Sequence, residues 1–331
     1  MVTANTVETH SLNDQVYNHT VSEREYKKGT SGAYSTYPQP LLIDDDFQSV
    51  SGDIVFDRFR VADVCMEEFK FGIVTKARVN PKLPNGVDGV LGLSRSVTYD
   101  QFGRTLLESM HADRKIEEKV FGIKLCPNDN PELATGHMTF GGLCSDCYGG
   151  EFSDFRLTTS ERWCMDFGSL RFGGKLIHGE SMTACMDIRQ AFIRGPNQLI
   201  DAINQQLSGG QYVDGVYQVP CSKRDSYPPV TFVSGRYRLT LTWKQYIIQP
   251  AMKYRDSILQ RDRASNPDGL HHEFSKEGGE VLRKENRCFS VFRGSSRSGM
   301  DWKFGLPVHR YFYVLYDYDR SLIRFADAAC S

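Results

Sequence analysis

The sequence predicts a chain in two strand-rich halves, with short helices between the strands. Three observations carry that reading. Runs rich in β-branched and aromatic residues recur from Gly52 to Ala326, bounded by single charges or by Gly, Asn and Asp turns. Apolar residues at helical spacing occur over short lengths, around Leu106–Ile116 and Pro196–Leu207. A polar segment, Phe155-Arg-Leu-Thr-Thr-Ser160, lies between two sets of strands and reads as a linker.

Taken in order, residues 1–40 are polar and show no sustained period, which predicts loops and short edge strands. Asn18-His19-Thr20 is a glycosylation acceptor pattern, relevant only in a secreted chain. Three adjacent carboxylates, Asp44-Asp45-Asp46, favour an exposed turn over a metal site. Ile54 to Val61 and Phe69 to Val74 read as strands. Val87-Asp-Gly-Val-Leu-Gly-Leu-Ser94 is an apolar segment whose glycines allow close backbone approach. Leu106, Leu107, Met110 and Ile116 predict one or two short helices, and Val120–Leu125 and His137–Phe140 predict strands. Cys144-Ser-Asp-Cys147 lies among glycines; without the second ligand pair that zinc needs, it reads as a turn carrying disulfide partners or free thiols.

The second half opens with a strand pattern from Trp163 to Phe172. After Pro196, the residues Leu199, Ile200, Ile203 and Leu207 share one helical face, with the proline in the first turn where its missing N–H is tolerated. Strands resume at Val230–Val233 and Tyr237–Trp243. Residues 252–287 form an insertion with eight Lys/Arg and seven Asp/Glu, a balance that predicts a solvated loop or frayed helix pair. Its adjacent His271 and His272 point apart in most conformations and do not predict a shared metal. A hairpin, Tyr311–Tyr316 and Leu322–Ala326 around Asp317–Ser321, closes the chain.

Composition excludes some functions. At 331 residues, 40% hydrophobic and 24% charged, the chain is of globular type and long enough for two domains or one two-lobed unit. Lys+Arg 40 against Asp+Glu 41 leaves no field to attract nucleic acid or an anionic membrane. No apolar run approaches the ~20 residues that span a bilayer. Met1–His10 lacks signal-peptide features, yet nine cysteines are many for a cytosolic protein and leave at least one unpaired or paired between chains. Loss of an N-terminal piece that includes the signal would reconcile the two. No cofactor and no metal is called for.

The best catalytic candidate is Asp187, in Cys185-Met-Asp-Ile-Arg-Gln-Ala-Phe-Ile-Arg-Gly-Pro196. A carboxylate between an apolar run and a helix start suits acid or base chemistry, but a guanidinium two residues away would hold it in an ion pair.

Several stretches in the same order resemble the pepsin-like aspartic proteases, of nematode type and lacking their beginning. Val87–Ser94 is similar to that family's D-G-I-L-G-L-A/S, and Val120–Leu125 with Gly136–Gly142 to V-F-S-x-x-L … G-x-x-x-F-G-G. Ser51–Val61 resembles the strand leaving the flap, and Trp163–Gly174 the opening of the second lobe. Trp302–Asp317, through Ala326, follows W-I-L-G-D-x-F-x-R-x-Y-x-x-x-F-D … G-F-A. The resemblance implies a bilobal all-β fold with an interlobe cleft: 1–155 as a remnant of the N-terminal lobe, 156–331 as the C-terminal lobe with the 252–287 insertion. It also implies a Cys221–Cys288 disulfide closing that insertion.

In the family each lobe gives one aspartate in D-T/S-G-T/S. The second falls on Asp187-Ile188-Arg189-Gln190, where only the aspartate survives, and no D-T-G or D-S-G occurs in the chain, which places the first upstream of Met1. Ile188 removes a hydroxyl. Arg189 adds bulk and charge where glycine packs closely. The flap tyrosine maps onto Asp45, and Lys303 and Leu306 replace an apolar residue and an aspartate. The expectation is a pepsin-family homologue, impaired or inactive as given, that keeps peptide or protein binding in its cleft. The alternatives are an active aspartic endopeptidase whose N-terminal motif is missing, and a secreted structural or interaction protein on the same scaffold. Partners would be peptides or proteins, with no nucleic acid and no membrane; the implied location is secreted or endo-lysosomal.

Overall fold

The structure, a computed structural model, describes residues 32–44, 48–61, 64–79, 89–96, 102–127, 135–188, 190–213, 216–249, 287–295 and 301–330. Asn18, Asp45, Arg189, the paired histidines and all of the 252–287 insertion but Arg287 lie outside them. Among the described residues the protein is mostly β with short helices, consistent with a pepsin-like fold. The chain forms two compact units, Met1–Lys119 and Val120–Ser331.

In the first unit β1 (Ser35–Asp44), β2 (Gln48–Val61) and β3 (Val64–Val79) form an antiparallel sheet in that order. Strand period sets which residues are inside: Asp57, Phe59 and Val61 are buried while Arg58 and Arg60 are exposed. β1 is longer than the polar reading of this region suggests. Its prolines, Pro38 and Pro40, sit on an edge strand at a register shift, where a missing N–H is tolerated. Helix α1 (Leu106–Ala112) starts at a capping box, with Glu108 N donating to Thr105 Oγ1 at 3.3 Å and Thr105 N to Glu108 Oε2 at 2.8 Å. It buries Leu106, Leu107 and Met110. The glycine reading of Val87–Ser94 fails at Gly92, where an added Cβ would meet open space.

The second unit begins with β4 (Val120–Cys126), β5 (Thr135–Phe140), β6 (Tyr148–Arg156), β7 (Cys164–Phe167), β8 (Ser169–Phe172) and β9 (Lys175–His178). β10 (Met182–Met186), β11 (Ile193–Pro196), α2 (Asn197–Asn204), β12 (Gln211–Val213), β13 (Val216–Pro220), β14 (Val230–Ser234) and β15 (Tyr237–Leu241) follow. Then come α3 (Trp243–Tyr246), β16 (Ile247–Ile248), β17 (Arg287–Ser290), β18 (Phe292–Ser295), β19 (Trp302–Phe304), α4 (Leu306–His309), β20 (Phe312–Asp317) and β21 (Leu322–Ala328). Among the described residues these form four sheets, in the orders β5-β4-β20-β21-β6, β18-β11-β19-β10-β7, β12-β13-β17-β16 and β15-β14-β8-β9.

β20 lies between β4 and β21 and is buried at every position. Its last residue, Asp317, accepts from Arg320 N at 2.8 Å and Arg320 Nη1 at 2.9 Å, which fixes the turn of the predicted terminal hairpin. The core is aromatic. Phe121 stacks on Tyr316 with centroids 4.5 Å apart, and Trp163 meets the same tyrosine edge-on at 5.1 Å. Under the second sheet, Phe232 contacts Trp302 and Phe304 at 5.1 and 4.9 Å. Such pairs contribute about 0.5–1.5 kcal/mol each beyond area burial.

Disulfides join Cys126 to Cys330, Cys144 to Cys147, Cys164 to Cys185, and Cys221 to Cys288. The odd cysteine is Cys65, a half-buried thiol on β3.

Candidate functional site around Asp187

Asp187 is placed by the sheet β18-β11-β19-β10-β7. β10 runs parallel to β19, and β11 runs antiparallel to it, so β19 lies between the strands that enter and leave the Asp187 turn. Trp302 and Phe304 of β19 point into the core, while Lys303 between them faces the other way and is half-buried. Asp187 N donates to Phe304 O at 2.9 Å, and Gln190 N to Asp187 O at 2.9 Å, which closes the turn. The Cys164–Cys185 disulfide ties β7 to β10 two residues before the aspartate.

Close approach at this turn depends on Gly305. Leu306 N donates to Gln190 O at 2.8 Å, and a Cβ on Gly305 would collide with the carbonyl oxygens of Gln190 and Phe192. Gly305→Ala is therefore expected to destabilise by about 1–3 kcal/mol, the usual cost of overpacking, read from urea unfolding midpoints. A loss under about 0.5 kcal/mol would show that the turn does not need this contact.

The half-buried Asp187 accepts a long contact from Gln190 Nε2, 3.5 Å from its Oδ2. Gln190 Oε1 in turn accepts from Arg194 Nε at 3.1 Å. Arg194, 4% exposed, sits beside Arg293, 5% exposed, on adjacent strands. Arg293 lies over the Phe192 ring, with Cζ 4.3 Å from the centroid, and donates to Ser290 O at 2.6 Å. Glutamine and a buried arginine thus stand on the side where the family pattern has a small hydroxyl residue.

Beneath the turn lies a buried polar pair that spacing in the sequence did not reveal. His309 Nε2 and the Tyr316 hydroxyl are 2.7 Å apart, and His309 Nδ1 is 3.3 Å from Gly305 O. A carbonyl only accepts, so Nδ1 carries the proton and Nε2 accepts from Tyr316. Burial holds the His309 imidazole down to about 4, opposed by the Gly305 bond. Burial pushes the Tyr316 hydroxyl well above its ordinary value, and the Asp187 charge adds to that rise, which puts the aspartate within electrostatic reach of the pair. Tyr316 occupies the place that the family pattern gives to phenylalanine.

The other predicted residues fall as follows. Ile188 and Leu306 are 38% and 39% exposed, so neither is core. Asp45 and Arg189 lie outside the described residues. Cys221 and Cys288 are bonded to each other. The Cys164–Cys185 bond had no signal in spacing, because with nine cysteines each has many partners to choose from.

Residues 7–260 match the eukaryotic aspartyl protease family, and the chain belongs to it. It is 24% identical over 229 residues to vacuolar protease A of Neurospora crassa, covering 68% of this chain and 56% of that protein. It is 23% identical over 309 residues to cathepsin D of Chionodraco hamatus, covering 92% of this chain and 70% of that protein. Pepsin A of Suncus murinus is 24% identical over 272 residues, covering 82% and 68% respectively. The chain thus spans little more than half the length of the fungal relative and about two thirds of the animal ones.

Proposed function

We propose that this chain is a pepsin-family homologue impaired or inactive in peptide hydrolysis, which binds peptides or proteins without cutting them. One observation carries the reading: Ile188, Arg189 and Gln190 follow Asp187 where the family has T/S-G-T/S. Hydrolysis needs two carboxylates sharing a proton, one acting as base toward water and the other as acid toward the carbonyl; the aspartic protease pair is itself the standard worked case. At Asp187 the neighbour three residues on is Gln190, whose amide Nε2 lies 3.5 Å from the carboxylate and whose Oε1 accepts from Arg194, in place of the family's hydroxyl residue.

On this reading residues 1–155 belong to the N-terminal lobe and 156–331 to the C-terminal lobe. Membership in a protease family implies peptide ligands. The four disulfides indicate the oxidising secretory pathway, and relatives named as vacuolar proteases fit a secreted or endo-lysosomal protein. A second reading, an active endopeptidase, is favoured by the retention of Asp187 itself.

Incubating the purified chain with denatured globin between about pH 3 and 6 separates the two, since a carboxylate pair sharing one proton works in that range. No cleavage sensitive to a statine-type inhibitor is expected. Inhibitor-sensitive cleavage would remove the proposal. Binding is checked by calorimetric titration of the same inhibitor, for which measurable heat is expected.

A further inference from the structure

The second unit carries a cluster that the Asp187 site does not use: His137 on β5, and Cys144 and Cys147 in the turn that leads to β6. Their ligand atoms lie within 4.8 Å of one another. His137 is exposed, Cys144 half-buried and Cys147 buried. The two sulfurs are joined in a disulfide that bridges a sequence separation of 3, against 21, 67 and 204 for the others. Closing so short a loop constrains the unfolded chain least, so opening it costs the fold least.

The turn is held by other bonds that do not involve sulfur. Cys144 N donates to the Tyr313 hydroxyl at 3.3 Å, Cys147 N to Cys144 O at 3.1 Å, and Ala329 N to Cys147 O at 2.9 Å. Tyr313 is fully buried and its hydroxyl also contacts Thr139 Oγ1 at 3.0 Å. Around the cysteines there is room: a Cβ at Gly142, Gly149 or Gly150 would meet nothing within 4 Å.

We propose that Cys144, Cys147 and His137 form a redox-gated site for a soft divalent cation of the zinc and cadmium class, closed by the disulfide and opened by a dithiol reductant. One thiolate of the reductant attacks Cys144 Sγ, the more accessible sulfur, and Cys147 leaves as a thiolate. The second thiol of the reductant then displaces Cys144. The reductant ends as a cyclic disulfide, and its two electrons and two protons are on the cysteines. The cation displaces both protons to water and is held by two thiolates and the neutral imidazole, with water as fourth ligand. Cysteines with two residues between them are the usual chelating half of a tetrahedral thiolate site. The same two sulfurs serve the disulfide or the metal, never both.

The test uses the full chain. Graded treatment with a dithiol, followed by alkylation and peptide mapping, is expected to show Cys144–Cys147 opening before the other three bonds. After anaerobic removal of the reductant at that stage, Cd2+ is expected to bind one per chain with an ultraviolet thiolate charge-transfer band, and the oxidised chain is expected to show none. Cys144→Ser/Cys147→Ser should abolish the band. His137→Ala, an exposed change that removes one of the three protein ligands, should weaken Cd2+ binding by at least the roughly 10–100-fold that losing an outer-shell partner of a ligand costs. The proposal is overturned if another disulfide opens first, if the opened chain shows no band, or if either variant binds Cd2+ as the wild type does.

Discussion

Between pH 7 and pH 4 the protein is expected to lose about 3 kcal/mol of stability on account of His309 alone. The imidazole is buried, donates to Gly305 O and accepts from Tyr316, and its folded value is held down to about 4 against 6.5 for the free side chain. Between those values the unfolded chain binds the extra proton and the folded chain does not. Stability from this group is therefore complete above about pH 6.5, falls as pH drops toward 4, and changes no further below it. His309→Leu/Tyr316→Phe removes both polar partners together, which avoids leaving an orphaned hydroxyl and is expected to be nearly neutral at pH 7. Urea unfolding at both pH values gives the comparison. The double variant should lose about 3 kcal/mol less than the wild type on acidification; an equal loss would mean that His309 is not held neutral by the fold.

Trp302→Ala is expected to cost about 4 kcal/mol, the usual range for removing a buried tryptophan. The indole is 1% exposed, packs edge-on against Phe232 at 5.1 Å, and lies 2.6 Å from where a Cβ on Gly195 would sit. It holds β19 between β10 and β11, so its loss should loosen the Asp187 turn as well. Its Nε1 is buried with no hydrogen-bond partner among the described residues. Trp302→Phe should thus cost only about 1–2 kcal/mol, because an unpaired buried donor is itself unfavourable by about 1–3 kcal/mol. Equal losses for the two variants would show that an aromatic ring at this position contributes no packing of its own.

Much of the second unit was legible in the sequence because its signals are local. Tyr311–Tyr316 and Leu322–Ala326 alternate apolar and aromatic residues about a turn, and they become β20 and β21. Pro196–Leu207 shows one apolar face, and α2 buries Ile200 and Ile203. β1 was harder to read, since Pro38 and Pro40 speak against a strand unless its place at a sheet edge is known. Of the candidate site, Asp187 alone was legible, from its place between an apolar run and a helix start and from the family pattern around it. Its surroundings were not. Cys164 meets Cys185, Arg194 meets Arg293, and His309 meets Tyr316 through pairings made by the fold, and no residue period encodes them.

The claim at the centre of this account is that Asp187 no longer works as half of a proton-sharing pair. Asp187→Asn tests it most directly, since the amide keeps the shape of the carboxylate and cannot act as its base. Denatured globin is incubated at acid pH with equal amounts of wild type and variant, and new chain ends are counted over time. The account predicts the same rate for both, at the level of globin alone. Cleavage by the wild type that disappears in Asp187→Asn would contradict it.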